Sequence, residues 1–228
     1  MKINLKKILN TVYEHVAAFF YPPYCCCCGE AVGVGVTICG DCRAELETLR
    51  FKNPRSLKYK GREYKLYSVF EYCGDNAAST IVKRVKFLRK LSGTRLMGAY
   101  IAEKAKSLNL KPDAVTYVPM TRMKEMQRGF NQVDYISAAV SRKLKIQQKT
   151  LLVKRFNTID QHKLAARERR INLDGAFRVR GDVKGKSLLL IDDVITTGTT
   201  ACECAHSLYQ AGAAHVDVIS FSMVRRSH

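Results

Sequence analysis

The most informative part of the sequence reads Leu188-Leu189-Leu190-Ile191-Asp192-Asp193-Val194-Ile195-Thr196-Thr197-Gly198-Thr199-Thr200. Its four consecutive apolar residues, 188–191, predict a strand buried on both faces, as at the centre of a parallel sheet in an α/β fold. Two carboxylates, Asp192 and Asp193, stand at the carboxyl end of that strand, where open α/β sheets bind their ligands. The stretch therefore predicts both a fold class and the position of a ligand site.

A loop rich in hydroxyl groups follows the two carboxylates and leads into a predicted helix. Thr200 and Glu203 have the spacing of a capping box, which predicts that this helix begins near Thr200. The loop amides and the positive end of the helix dipole then converge on one point, which suits a phosphate monoester. Because carboxylates repel phosphate, Asp192 and Asp193 are better explained as acceptors for the hydroxyl groups of a ribose that carries the phosphate.

At all thirteen of these positions the sequence resembles the signature of phosphoribosyltransferases that bind phosphoribosyl pyrophosphate (PRPP). The resemblance implies a type I phosphoribosyltransferase-like parallel sheet with helices on both faces, and a PRPP ligand that brings Mg²⁺ with it. It also implies catalytic roles for Asp192 and Asp193. The implied PRPP-binding residues are Thr196, Thr197, Gly198, Thr199 and Thr200, with Pro119 and Arg122 in the loop where such enzymes commonly hold pyrophosphate.

The strand and loop have two other interpretations, of which the first fails. A strand ending in two aspartates also resembles a Walker B strand, but a Walker A loop would then be required. The nearest candidate, 181–187, is one residue short between its glycines and leads into a predicted strand, whereas a phosphate-binding P-loop leads into a helix. The second alternative is a strand, turn and helix that bind no ligand.

Six cysteines lie close together near the start of the chain. The outer members of this group have the spacing Cys25-x2-Cys28-x10-Cys39-x2-Cys42, which is typical of a structural zinc site. Four thiolate ligands leave no open position on the metal, so the predicted role is structural. The predicted non-ligands are Cys26 and Cys27, because adjacent cysteines do not easily bind one ion together. A disulfide framework is the alternative.

Further segments are similar to the late-competence ComF family of bacterial DNA-uptake proteins, over most of residues 20–222. They are the double CxxC pattern preceded by Tyr21-Pro22-Pro23, the stretch Arg128-Gly129-Phe130-Asn131-Gln132, and the positions Thr158, Gln161, Leu164, Arg169, Asn172, Ala176 and Phe177. The resemblance implies a role in natural transformation, in which the protein handles incoming single-stranded DNA with a competence helicase. The alternatives are a non-catalytic DNA-binding or scaffold protein and a nucleobase salvage phosphoribosyltransferase.

The chain is strongly basic, with 39 Lys and Arg against 20 Asp and Glu and a formal net charge of +19. This balance favours polyanionic partners. Residues 61–150 carry 18 basic and 7 acidic side chains. A predicted helix over 77–91 carries a stripe that suits a phosphate backbone or is simply solvated: Lys83, Arg84, Lys86, Arg89 and Lys90. Aromatic residues that suit base stacking are Tyr59, Tyr64, Tyr67 and Phe87.

The predicted organisation has three parts. A leading amphipathic helix covers 1–22, a four-cysteine zinc module covers 23–45, and the phosphoribosyltransferase-like domain covers 46–228. The apolar part of the amino terminus is interrupted by polar residues and lacks a small-residue cleavage site, so a secretion signal is not expected. No stretch approaches the roughly 20 apolar residues of a membrane span. The expected location is cytoplasmic. A basic segment, 167–170, is either a lid over pyrophosphate or an ordinary solvated loop.

Overall fold

The computed structural model describes residues 22–154 and 175–225. The predicted leading helix, apart from Pro22, and the basic segment 167–170 lie outside the described residues. The helices are α1 (Gly40–Thr48), α2 (Ala77–Leu88), α3 (Ser92–Ser107), α4 (Arg122–Arg128), α5 (Gln132–Leu144) and α6 (Thr199–Gln210). The strands are β1 (Arg55–Tyr59), β2 (Arg62–Tyr72), β3 (Ala114–Tyr117), β4 (Leu152–Lys154), β5 (Phe177–Val179), β6 (Ser187–Ile195) and β7 (His215–Val224).

The main sheet has five strands in the order β1-β2-β7-β6-β3. The neighbours β2, β7, β6 and β3 are parallel, and β1 pairs antiparallel with β2 at one edge. Strands β4 and β5 form a separate antiparallel pair. The prediction of a parallel sheet with the 188–191 strand inside it is confirmed, since β6 has a parallel neighbour on each side.

Helices cover both faces of this sheet, because successive side chains of a strand point in opposite directions. Leu189 and Ile191 belong to the apolar cluster that contains the buried sides of α2, α3 and α5. Leu188 and Leu190 belong to the second cluster, with α6 and the β4–β5 pair. All four side chains are fully buried. The prediction that this strand is buried on both faces is therefore confirmed. The side chains of β6 contribute to the apolar clusters on both sides of the sheet.

The cysteine-rich segment packs directly against α2 and α3. Cys25, Cys26 and Ile38 belong to the same apolar cluster as residues of those helices and of the sheet. The Glu45 carboxylate of α1 accepts a hydrogen bond of 2.7 Å from the amide of Ala77, the first residue of α2. Helix α1 runs across the predicted boundary at residue 45. The division into a module and a domain stays a prediction.

Helix α2 is shorter than the sequence indicates. Its start is fixed by Asn76, whose side chain accepts a hydrogen bond of 2.9 Å from the Ser79 amide. Its end comes at Leu88, because Arg89 adopts a left-handed conformation with φ 51°. Arg89 and Lys90 therefore lie in the turn before α3 and not on the predicted helical stripe. Among the described residues, no helix has the length and apolarity needed to cross a membrane.

Helices α3 and α5 approach each other closely at Gly98. A Cβ atom added there would lie 2.4 Å from the Cβ of Ala139 and 2.8 Å from the backbone oxygen of Ile136. Both distances are far below van der Waals contact. Only glycine therefore fits at this position without moving one helix away from the other.

Gly98→Ala is expected to lower the free energy of unfolding by about 1–3 kcal/mol, the usual cost of forcing extra atoms into a packed interface. Helix propensity alone would predict the opposite result, a more stable protein, because alanine is a better helix former than glycine. Chemical denaturation followed by circular dichroism measures the difference. Gly40→Ala is the control, because nothing lies within 4 Å of a Cβ added at that helical position. Equal stability of the two variants would contradict the close helix contact.

Candidate functional site

The candidate site lies at the edge of the sheet where the parallel strands end. Strand β6 ends at Ile195, and its parallel neighbour β3 ends at Tyr117. The Val118 amide still donates a hydrogen bond of 3.0 Å to the oxygen of Ile191. Segments 118–122 and 192–200 therefore leave the sheet at the same edge. This topology brings the two parts of the predicted ligand site to one side of the molecule.

Asp193 is a buried carboxylate with two side-chain partners. It is 5% exposed, and its Oδ2 atom lies 2.9 Å from Nζ of Lys86 and accepts a hydrogen bond of 2.8 Å from Nε2 of Gln132. Burial alone would raise the pKa of Asp193, but the Lys86 ammonium and the Gln132 amide outweigh it and hold the pKa below its usual value. Asp193 is thus held as an anion by α2 and α5.

Asp192 is in a different electrostatic state from its neighbour. Its Oδ1 atom accepts a hydrogen bond of 2.8 Å from the Asp193 amide, and the residue is half-buried. Burial, followed by the nearby charge of Asp193, raises the pKa of Asp192 to about 8. Two adjacent carboxylates in one low-dielectric site do not both ionise easily. The pair therefore offers one fixed anion and one carboxyl group that changes protonation near neutral pH.

The loop after β6 turns at Gly198 and leads directly into α6. Gly198 has φ 86° and is the N-cap residue of α6, and a Cβ added there would lie 2.6 Å from Cδ1 of Leu66. The hydroxyl groups of Thr197 and Thr199 lie 3.1 Å apart. Arg55 of the edge strand donates a hydrogen bond of 2.8 Å to the Thr196 oxygen, which ties the loop to β1. The loop amides lie at the amino end of a twelve-residue helix.

The predicted capping box at the start of α6 is wrong. The helix begins at Thr199, after Gly198, and no side chain caps it. Glu203 instead points into the protein, where its carboxylate pairs with Lys60 at 2.9 Å and accepts a hydrogen bond of 3.2 Å from the Gly175 amide. Glu203 is thus engaged away from the first turn, where the Thr199 amide donates a long hydrogen bond of 3.4 Å to Oγ1 of Thr197. The amino end of the helix suits binding of an anion from outside.

The predicted pyrophosphate loop lies between β3 and α4. Pro119 is half-buried, and Thr121 begins α4 by accepting a hydrogen bond of 3.3 Å from the Lys124 amide. Arg122 is exposed on the first turn of this short helix. The structure thus puts Arg122 at the same sheet edge as Asp192 and Asp193, and its side chain points into solvent.

The four outer cysteines form one cluster of sulfur atoms. The Sγ atoms of Cys25, Cys28, Cys39 and Cys42 all lie within 4.8 Å of one another, and those of Cys28 and Cys39 are 3.8 Å apart. A tetrahedral ion bound to four thiolates at about 2.3 Å holds the sulfurs about 3.8 Å apart. The donor set and its spacing therefore fit a closed, structural metal site.

The surroundings of the cluster favour thiolate at Cys25. Burial opposes its ionisation, but the amides of Cys39, Cys27 and Cys28 face it and lower its pKa to about 6. The two inner cysteines are different. Burial raises the pKa of Cys26 to about 12 and that of Cys27 to about 11. Both pack in the apolar cluster, so the structure groups the residues that the spacing predicts and leaves the inner pair outside.

The sequence did not identify two residues that complete the site. The sequence pattern places Lys86 on a surface stripe, yet its ammonium pairs with the Asp193 carboxylate. Gln132 belongs to the stretch 128–132 that resembles the ComF family, and this resemblance is the one indication of its importance in the sequence. Its contact with Asp193 depends on the fold. Two of the aromatic residues proposed for base stacking, Tyr59 and Tyr64, are buried and not available for it, whereas Phe87 is 70% exposed.

A mostly parallel sheet that carries two carboxylates, a threonine-rich loop and a helix at its carboxyl edge defines an α/β protein with a candidate ligand site at that edge. The chain is 33% identical over 189 residues to the DNA utilization protein YhgH of Escherichia coli, covering 80% of this chain and 82% of that protein. It is 30% identical to competence protein F of Haemophilus influenzae, covering 79% and 82%. The chain belongs to the ComF family.

Other comparisons are less informative. Competence protein ComFC of Streptococcus pneumoniae is 27% identical over 204 residues, covering 82% of this chain and 87% of that protein. A purine phosphoribosyltransferase structure from Pyrococcus horikoshii aligns with a TM-score of 0.37 at 18% identity, over 57% of this chain and 73% of that chain. No family model matches the sequence.

Lys86→Met is expected to lower the free energy of unfolding by about 3 kcal/mol, because it leaves the Asp193 charge buried without its cation. The estimate is at the lower end for such pairs because the Lys86 side chain keeps 21% of its surface exposed. Adding Asp193→Asn should recover part of the loss, which a double-mutant cycle by urea denaturation measures.

Lys83→Met is the matched control for this measurement. Lys83 lies on the same helix, but its partner Asp75 is 92% exposed, so the expected loss is much smaller than that of Lys86→Met. Equal losses in the two lysine variants would contradict the role given to the buried pair.

Metal analysis of the purified protein is expected to find about one ion per chain, since four thiolates complete one site. Cys28→Ser should reduce this content because it removes one of the four ligands. Cys26→Ala should retain the metal, and Cys73→Ser, an exposed cysteine outside the cluster, is the neutral control. Loss of metal in Cys26→Ala and its retention in Cys28→Ser would contradict the assigned ligand set.

Proposed function

We propose that the protein binds PRPP or a related phosphoribosyl ligand together with Mg²⁺ and acts in DNA uptake during competence. The observation that carries the ligand part is the combination, at the end of β6, of a carboxylate pair and an uncapped helix start. The 5′-phosphate suits the amides of 196–200, where donors converge at a positive helix end. The role in competence is supported by the names of the relatives.

The two aspartates would hold the ribose in different ways. Asp193 is already an anion paired with Lys86, so ligand binding is expected to change its protonation little. Asp192 accepts a hydrogen bond from the Asp193 amide of its own strand, and its pKa is raised. Its protonation state should therefore change more than that of Asp193 when the ribose hydroxyls and Mg²⁺ of the ligand bind. Donors to a carboxylate favour its charged form. Ligand binding is therefore expected to release a proton from Asp192 near neutral pH.

Pro119 and Arg122 are proposed to contact the pyrophosphate of the ligand. Arg122 lies at the start of α4, and its exposed guanidinium has the geometry to bind two phosphate oxygens at once. Mg²⁺ bound with PRPP supplies Lewis-acid stabilisation of the leaving pyrophosphate in pentosyl transfer. The protein groups position the ligand, and Mg²⁺ and Arg122 balance its negative charge.

The metal of the four-cysteine site is proposed to be zinc. Four thiolates at tetrahedral spacing suit Zn²⁺, and the absence of an open ligand position suits a structural role. Bound zinc would fix the segment that packs on α2. This arrangement and the proposed role in handling imported DNA are consistent with a cytoplasmic location.

A second candidate function is binding of single-stranded DNA, alone or with a competence helicase. The observation that favours it is the surplus of basic side chains in 61–150, of which only Lys86 and Arg122 belong to the phosphoribosyl site. A positive surface attracts a polyanion in a salt-dependent manner. The two functions are compatible, because they use different parts of the molecule.

Calorimetric titration with PRPP and Mg²⁺ is expected to give saturable binding to the wild-type protein. Repeating it at pH 7 in buffers of different ionisation enthalpy should show proton release, since Asp192 is largely protonated before binding. Asp192→Asn should bind more weakly and release no proton. Lys184→Gln, an exposed lysine in the turn before β6, is the control and should behave as the wild type. Absence of heat with the wild type at millimolar PRPP would refute the proposal.

A further inference from the structure

Two surface cavities are lined by cationic side chains of α2, α3, α5 and the turn between α2 and α3. The first has a volume of about 490 Å³ and is lined by Tyr24, Arg84, Lys90 and Ser92 together with residues of the cysteine segment. The second has a volume of about 480 Å³ and is lined by Arg95, Ala139, Arg142 and Lys143. Among the described residues, no carboxylate lines either cavity.

Three cationic side chains line the second cavity because the two helices that carry them approach closely. Helices α3 and α5 are in contact at Gly98 and Ala139. About one helical turn away from that contact, Arg95 of α3 and Arg142 of α5 line the same cavity. Neither Arg95, Arg142 nor Lys143 has an ion-pair partner in the described part of the chain. The nearest acids on these helices are engaged elsewhere, Glu103 with Arg50 and Asp134 with Gln148.

The position of Arg95 is unusual for a cation. It lies on the first turn of α3, where the helix dipole favours negative charge. The helix has no acidic residue in that turn and no side-chain cap. Arg142 and Lys143, by contrast, lie in the last turn of α5, where the dipole favours cations. An external anion between Arg95 and Arg142 would relieve both the repulsion between the cations and the unfavourable dipole interaction.

We propose that single-stranded nucleic acid binds along these two cavities, with its phosphodiester backbone on a basic band defined as Tyr24, Arg84, Lys90, Arg95, Arg142 and Lys143. The inference locates the second proposed function and is independent of the phosphoribosyl ligand. The two cavities are joined by a short stretch of chain, since Lys90 lines the first and Arg95, on the first turn of α3, lines the second. A concave positive surface that tracks a flexible backbone is how proteins bind single strands without sequence preference.

Tyr24 favours an unpaired strand over an acidic peptide or a duplex. Its side chain is 53% exposed at the rim of the first cavity. An exposed aromatic ring beside cations can stack on an unpaired base. In a duplex the bases are stacked on one another, and a peptide has no bases. The cations would hold the phosphates and the ring would hold a base.

The test is fluorescence anisotropy with a labelled thymidine 30-mer at several salt concentrations. The triple variant Arg95→Gln, Arg142→Gln, Lys143→Gln removes three phosphate contacts. Its slope of log affinity against log salt should therefore fall by about 2. Its affinity at low salt should fall by at least tenfold. The control triple Lys58→Gln, Lys65→Gln, Lys111→Gln removes the same charge from exposed positions outside the band and should keep most of the slope.

A second arm tests stacking. Tyr24→Ala should weaken binding about tenfold with an unchanged salt slope, since stacking is not ionic. Tyr135→Ala, which removes a tyrosine of similar exposure outside the band, should have little effect. Equal losses in the two charge triples, or displacement of the strand by polyglutamate or inorganic pyrophosphate at matched charge, would overturn the inference.

The outcomes also separate this inference from the two proposed functions. Circular dichroism and metal content establish that each variant is folded, and the Arg95, Arg142, Lys143 triple should bind PRPP as the wild type does. If the wild type binds no oligonucleotide, the second proposed function and the band both fail. If the wild type binds and the two triples behave alike, only the band fails.

Discussion

The buried charge of Asp193 is the constraint on which the arrangement of the site depends. An ionised carboxylate at the end of a central strand is very unfavourable unless compensating groups reach it. Lys86 and Gln132 provide this compensation, at 2.9 and 2.8 Å. Lys86 lies near the end of α2 and Gln132 is the first residue of α5. Both helices must therefore be held in place for the buried charge to be stable. The ion pair therefore links the sheet edge to two separate helices.

The cysteine segment has a direct part in holding α2. Glu45 caps the first residue of that helix, and Arg84 donates a hydrogen bond of 2.9 Å to the Cys28 oxygen. Cys26 packs near Gly93, at the start of the next helix. A metal held by the outer cysteines would thus stabilise the helix that supplies Lys86. Such a metal would act on the candidate site through packing and one ion pair, without touching a ligand.

Local patterns in the sequence predicted the features that depend on neighbouring residues. The apolar run 188–191 was sufficient to predict the buried strand, and the double CxxC spacing was sufficient to group four sulfur atoms. Contacts between distant segments were not predictable in this way, and Lys86 with Asp193 is the clearest example. The capping-box prediction failed for the same reason, because Glu203 pairs with Lys60 and the Gly175 amide, neither of which is close in sequence.

The most direct test of the account is a crystal structure of the protein with PRPP and Mg²⁺. The account predicts the 5′-phosphate against the amides of 196–200, the ribose hydroxyls on Asp192, and the Lys86–Asp193 ion pair still formed. A ligand held only in the cavity between α3 and α5, with the loop after β6 empty, would contradict it.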